Sequence, residues 1–146
     1  MPVIKMQTTH KNVPDDFEVR FAVHMAKVMK RPESQIFVAI DTKCRMTRGR
    51  LTDSHAVLEV TTSTPLTPVL TEEYTVAICE FLHEELSFDG DSVLINYRSL
   101  SPELIGFNGH VLAENRPVIS RDKAMYIIGL LSIALSFFIL QFLKYI

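Results

Sequence analysis

The sequence of 146 residues predicts an α+β fold with a C-terminal transmembrane helix. The fold consists of two β-α-β repeats, giving a four-stranded mixed sheet with two helices on one face. Three observations carry this. A strand-period run, a helix-period run and a second strand-like run follow one another twice, at similar lengths. Pro, Gly and Ser/Thr clusters punctuate the runs. The final apolar stretch, residues 124–143, holds no charge and meets the roughly 20-residue length of a bilayer span.

The first repeat opens with PVIKMQTT, where Val3, Lys5 and Gln7 share one face and Ile4 and Met6 the other. VPDDFEVRFAVHMAKVMK is helical. Asp15 and Glu18 have capping-box spacing, and Phe17, Phe21, Met25, Val28 and Met29 form one apolar stripe. Pro32 ends the helix near Lys30. QIFVAID is an almost continuous apolar run, the pattern of a strand buried on both faces.

DTKCRMTRGRLTD joins the halves. Its cations, Lys43, Arg45, Arg48 and Arg50, suit a solvated loop or a guarded edge strand better than a phosphate or nucleic-acid patch. The second repeat follows with HAVLEVTTS as a strand. TPLTPVLTEEYTVAICEFLHEEL is a helix with a Thr-Pro start, lined on one side by Leu70, Tyr74, Ala77, Ile78, Phe81 and Leu82. SVLINYRSL is the fourth strand, and both crossovers should be right-handed. SPELIGFNGHVL adds a turn of helix, a Gly-rich turn and a short strand. Open sheet edges predict an oligomer whose short strands close onto neighbouring copies.

The formal net charge of −2 gives no reason to expect a nucleic-acid partner. Cys44 and Cys79 make no CxxC and no metal spacing, and His10, His24, His55, His83 and His110 show no metal pairing. Neither a metal nor a cofactor is expected. The N-terminus lacks the basic start and apolar run of a secretory signal, so a reducing cytosol is the default for the body of the chain.

The domain organisation expected is an α+β domain over 1–118, a linker over 119–123 and a membrane tail anchor over 124–143. A soluble helix would show a polar face, which Ser132, Ser136 and Gln141 do not make. A removed lipid-anchor signal fits poorly without a secretory signal upstream. Arg121 and Lys123 precede the span and Lys144 follows it, a bias that places the main domain in the cytosol. Gly129, Ser132 and Ser136 share a helical face. Such small residues either pack anchors together or are incidental.

Pro2 raises the chemical question. Once the initiator methionine is removed, the chain begins with a secondary amine held by the first strand. An α-amino group has a pKa near 8, and desolvation lowers it. A neutral amine at cell pH is what a general base requires.

MPVIKMQT, the RPESQIFVAI junction, VLINYRSLSPELIGFNGH and the doubled β-α-β length together resemble the macrophage migration inhibitory factor family of the tautomerase superfamily. The resemblance spans roughly residues 1–115 and looks most like a nematode member. It implies a homotrimer with active sites at subunit boundaries. It implies keto-enol tautomerisation of phenylpyruvate or dopachrome-like compounds, with an α-keto acid or enol as substrate. In some members it implies cytokine-like signalling through a receptor, from a cytoplasmic protein that leaves the cell without a signal peptide.

Carried across, the catalytic proline is Pro2, and the lysine that binds the substrate carboxylate is Arg31, with Lys30 adjacent. The asparagine reaching across the boundary is Asn96, and Ile105 and Phe107 supply the apolar wall. Ser63 stands where the family has an isoleucine whose backbone contacts substrate. Leu94 replaces a pocket tyrosine, which predicts weakened or altered activity, and HAVL at 55–58 replaces the CxxC of some members. A non-enzymatic signalling or binding protein on the same trimer is the alternative.

Overall fold

In the computed structural model, which describes residues 1–42, 44–51 and 53–112, alternation of side chains sets the sheet. Strand β1 (Val3–Thr8) buries Ile4, Met6 and Thr8, and β3 (Ala56–Thr62) buries Ala56, Leu58, Val60 and Thr62. These two strands pair antiparallel at the centre. β2 (Phe37–Asp41) runs parallel to β1, and β4 (Val93–Ser99) runs parallel to β3. The order is β2-β1-β3-β4, a mixed sheet as expected. Helices α1 (Phe17–Val28) and α2 (Pro68–Leu86) share one hydrophobic core with the buried side of these strands.

The core is aromatic where the helices meet. Phe21 stacks on Phe81 at 5.0 Å between ring centres, and Phe17 meets Phe81 edge-on at 5.5 Å. All three rings are buried. Arg20 of α1 forms an ion pair with Glu85 of α2, and the His24 ring lies 3.2 Å from the Ala77 carbonyl. Helix α2 begins as its Thr-Pro signal requires. Thr67 is the cap, its side chain accepts from the Leu70 N–H at 3.2 Å, and Pro68 takes the first helical position.

Two local expectations are corrected. Helix α1 has Asp16 rather than Asp15 as its cap residue, with no side-chain cap hydrogen bond, so there is no capping box. Asp16 instead pairs with Arg20 one turn on, at 3.0 Å. Strand β2 is not buried on both faces: Phe37, Ala39 and Asp41 are exposed, because β2 is an edge strand and helices cover only one side of the sheet. The cationic loop places Arg48 against the Asp91 carboxylate at 3.1 Å, a solvated ion pair.

Residues 119–123 and 124–143, read as a linker and a membrane anchor, lie outside the described residues. Among those described, no helix is long and apolar enough to cross a membrane.

Candidate active site

One end of the sheet gathers three of the candidate residues. Val3 stands level with Phe37 on β2 and Thr61 on β3, and Thr61 is level with Arg98 on β4. The starts of β1 and β2 therefore meet the ends of β3 and β4. Pro2 sits at this end with its side chain fully buried, and its carbonyl accepts from the Phe37 N–H at 3.1 Å. In the full chain the Pro2 nitrogen is an amide without basicity. Met1 is itself only 8 % exposed, and its terminal amine donates to Ser63 Oγ at 2.7 Å. Removing Met1 would turn the Pro2 nitrogen into an amine and open the space that Met1 fills, with Ser63 on its boundary.

Arg31 reaches this end because of how α1 stops. Lys30 adopts a left-handed conformation, φ 52°. Its N–H donates to the Lys27 carbonyl at 3.3 Å, and the Arg31 N–H donates to the Ala26 carbonyl at 3.0 Å. That pair of bonds is a Schellman motif, and Pro32 prevents the helix from resuming. The turn fixes the Arg31 backbone. The guanidinium then donates from Nη2 to Thr64 Oγ1 at 3.2 Å. Thr64 is fixed in turn: its N–H donates to Thr62 Oγ1 at 3.1 Å, and its carbonyl accepts from the Ser99 hydroxyl at 3.2 Å. Burial pushes the nearby Tyr74 phenol up, the charge of Glu73 adds to this, and the charge of Arg31 opposes it.

Pro2, Arg31 and Ser63 are thus brought to one end of the fold. Phe107 joins them indirectly. It lies on a small hairpin, β5 (Gly106–Phe107) and β6 (His110–Val111), turned by Asn108 and Gly109 with φ 52° and 78°. Its ring meets Phe37 edge-on at 6.0 Å; the Phe37 N–H bonds the Pro2 carbonyl, but the exposed Phe37 side chain lies on the open face of the sheet, opposite Pro2. Ile105 is half-buried, and its carbonyl closes the base of the hairpin by accepting from Leu112 N–H at 2.7 Å.

Asn96 is not brought in by the same chain. It lies on edge strand β4, level with Glu59 and Lys5, exposed on the sheet face that the helices leave open. Alternation puts Pro2 on the opposite side of the sheet, two strands over. Leu94, 57 % exposed, is on that same open face. The neighbouring Tyr97 does not replace the missing phenol, because its hydroxyl is engaged by Thr75 Oγ1 at 2.8 Å.

Sequence reasoning missed Thr64, which orients Arg31, and the side-chain role of Ser63. The signal was the TTSTP run, since clustered hydroxyls before a proline tend to bond their own backbone in tight turns. Among the described residues no group of His, Cys, Asp or Glu is placed to hold a metal ion. Cys44 and Cys79 are both free thiols; burial pushes the Cys79 thiol up, and hydrogen bonding to Asp41 does so for Cys44.

Comparison with known proteins gives the family and the fold. The family model for macrophage migration inhibitory factor matches residues 1–113. The MIF-like protein mif-3 of Caenorhabditis elegans is 72 % identical over 146 residues, the whole of both chains, so the similarity runs through the apolar stretch as well. The MIF-like protein mif-2 of the same organism is 33 % identical over 78 % of this chain and 97 % of its own. Among solved structures, the macrophage migration inhibitory factor from Trichinella spiralis superposes with a TM-score of 0.70 at 20 % identity, covering 75 % of this chain and 98 % of that one. The Prochlorococcus marinus homologue gives 0.71 at 20 % identity, covering 76 % and 99 %. These two likenesses speak for the fold. With a family match over residues 1–113 and a relative 72 % identical along its whole length, the chain belongs to the macrophage migration inhibitory factor family.

Proposed function

We propose that the processed chain is a keto-enol tautomerase of the phenylpyruvate or dopachrome type, working as a homotrimer without a cofactor. The observation that carries this is the buried Pro2 at the start of β1, with Ser63 and the Thr64-bound Arg31 at the same end of the fold. The Pro2 nitrogen takes a proton from the carbon beside the substrate's ketone. The C–H electron pair becomes the C=C bond, and the carbonyl electrons move to oxygen, which takes up a proton. The nitrogen then gives up its proton, so nothing is gained or lost overall. Arg31 holds the carboxylate with a planar two-donor fork. Ile105 and Phe107 wall the apolar end. A second copy presents its Asn96 to the oxygen, which explains why one chain keeps Asn96 exposed on an edge strand.

Complementation tests this. Pro2→Gly and Asn96→Ala should each be inactive alone in phenylpyruvate ketonisation, and trimers mixed from both should regain part of the wild-type rate. A wild type that is trimeric by light scattering yet inert supports the other reading, a signalling or binding protein. The exposed Leu94 in place of a pocket tyrosine is the observation that favours that reading.

The apolar run over 124–143 acts as a tail anchor with the domain facing the cytosol. Carbonate extraction of cell membranes distinguishes it: full-length chain should stay with the membrane and a chain ending at 120 should not. Equal release of both would leave the family's cytoplasmic and secreted habit as the better description.

A further inference from the structure

Ser63 offers more than its backbone to this site. Its hydroxyl is buried, 9 % exposed for the residue, and lies 2.7 Å from the Met1 amine. One peptide unit separates that amine from the Pro2 nitrogen, so Ser63 Oγ is no more than about 6 Å from the future base. A ligand atom that replaces the Met1 amine would sit within reach of both. An apolar side chain at this position, as the resemblance would have it, has no such capacity. The next residue, Thr64, holds the Arg31 guanidinium at 3.2 Å. Two consecutive hydroxyls therefore stand at this end of the fold, one on the Met1 amine and one on Arg31.

We infer that the Ser63 hydroxyl donates a hydrogen bond to the substrate oxygen that gains charge as Pro2 removes the proton, with Thr64 positioning Arg31 for the adjacent carboxylate. Such a donor acts where the charge develops and strengthens in the transition state. It also selects among ligands, favouring α-keto acids whose ketone oxygen stands next to the carboxylate over purely apolar enols. This rests on the tautomerase reading.

The test uses the full chain with Met1 removal verified by mass. Phenylpyruvate ketonisation is measured for wild type, Ser63→Ala, Ser63→Ile and Ser63→Thr, and phenylpyruvate binding is measured by calorimetry in a Pro2→Gly background with and without Ser63→Ala. Ser63→Ala and Ser63→Ile should lower kcat about tenfold or more. KM and binding in the Pro2→Gly background should change far less, and Ser63→Thr should restore most of the rate. Unfolding midpoints should match, separating the effect from a structural one. Wild-type turnover that Ser63→Ala and Ser63→Ile leave unchanged overturns this inference alone. Equal loss in binding and in kcat overturns the transition-state role. A wild type that neither binds nor turns over phenylpyruvate overturns the tautomerase reading, and this inference with it.

Discussion

Lys30 carries a prediction that joins backbone to function. Its φ of 52° places a side chain where the Cβ crowds the following carbonyl, a cost of roughly 1–2 kcal/mol. Glycine avoids that contact but gains freedom in the unfolded chain, which takes back roughly 0.5–1 kcal/mol. Lys30→Gly should therefore stabilise the fold by about 0.5–1 kcal/mol. For a unit spanning Met1–Leu112, that corresponds to a rise in Tm of about 2–4 °C. Lys30→Ile should lower Tm, because a β-branched residue tolerates this conformation least. Thermal unfolding followed by circular dichroism, at one protein concentration, reads both. Because the Schellman turn survives the glycine, Arg31 keeps its bond to Thr64, and KM for phenylpyruvate should stay as in wild type. A falling Tm for the glycine variant would refute the backbone argument. A tenfold rise in KM with an intact fold would hand carboxylate binding to the Lys30 ammonium instead of Arg31.

Two further outcomes follow from the packing. Phe81→Ala removes the ring that Phe17, Phe21 and His24 all meet within 5.5 Å, and should cost about 3–5 kcal/mol. Urea unfolding should show the midpoint falling at constant slope, and a loss under about 1 kcal/mol would contradict the aromatic core described. Tyr97→Phe should cost about 1 kcal/mol at neutral pH through the lost bond to Thr75. Burial holds the folded Tyr97 phenol above its ordinary value of 10.0, with the Thr75 bond opposing in part. Its contribution is therefore complete below pH 10 and is lost as pH rises through the folded value. Urea midpoints taken from about pH 8 to 11 should decline less steeply above pH 10 in the variant than in wild type.

How much of this could be read from sequence depends on the range of the interaction concerned. The strands, both helices and the aromatic stripe were legible because burial on one face imposes periods of two and 3.6 on the side chains. Pro68 marked a helix start for the same local reason. The capping box failed because Asp15 and Asp16 are equally good on paper, and an ion pair between Asp16 and Arg20 decided between them. β2 misled because an apolar run does not tell which face is covered, and helices cover only one side of this edge strand. In the site, Pro2, Arg31 and Ser63 were found through the resemblance, and the fold gathers them at one end. The hydroxyl contacts of Ser63 and Thr64 were illegible. They link residues more than thirty positions apart through side chains that carry no periodic signal. Asn96 was named through the resemblance, and the fold leaves it exposed on edge strand β4, away from Pro2.

The proposed catalysis requires removal of Met1. Chains with and without it can be produced on the natural Met-Pro start, by inhibiting methionine aminopeptidase during expression or by co-expressing it, and their proportions read by mass. The measurement is the phenylpyruvate ketonisation rate plotted against the fraction of chains beginning at Pro2. A straight line through zero is the predicted result, because a chain that keeps Met1 has neither a basic nitrogen nor an open pocket. Undiminished rates in material whose chains all retain Met1 would contradict it.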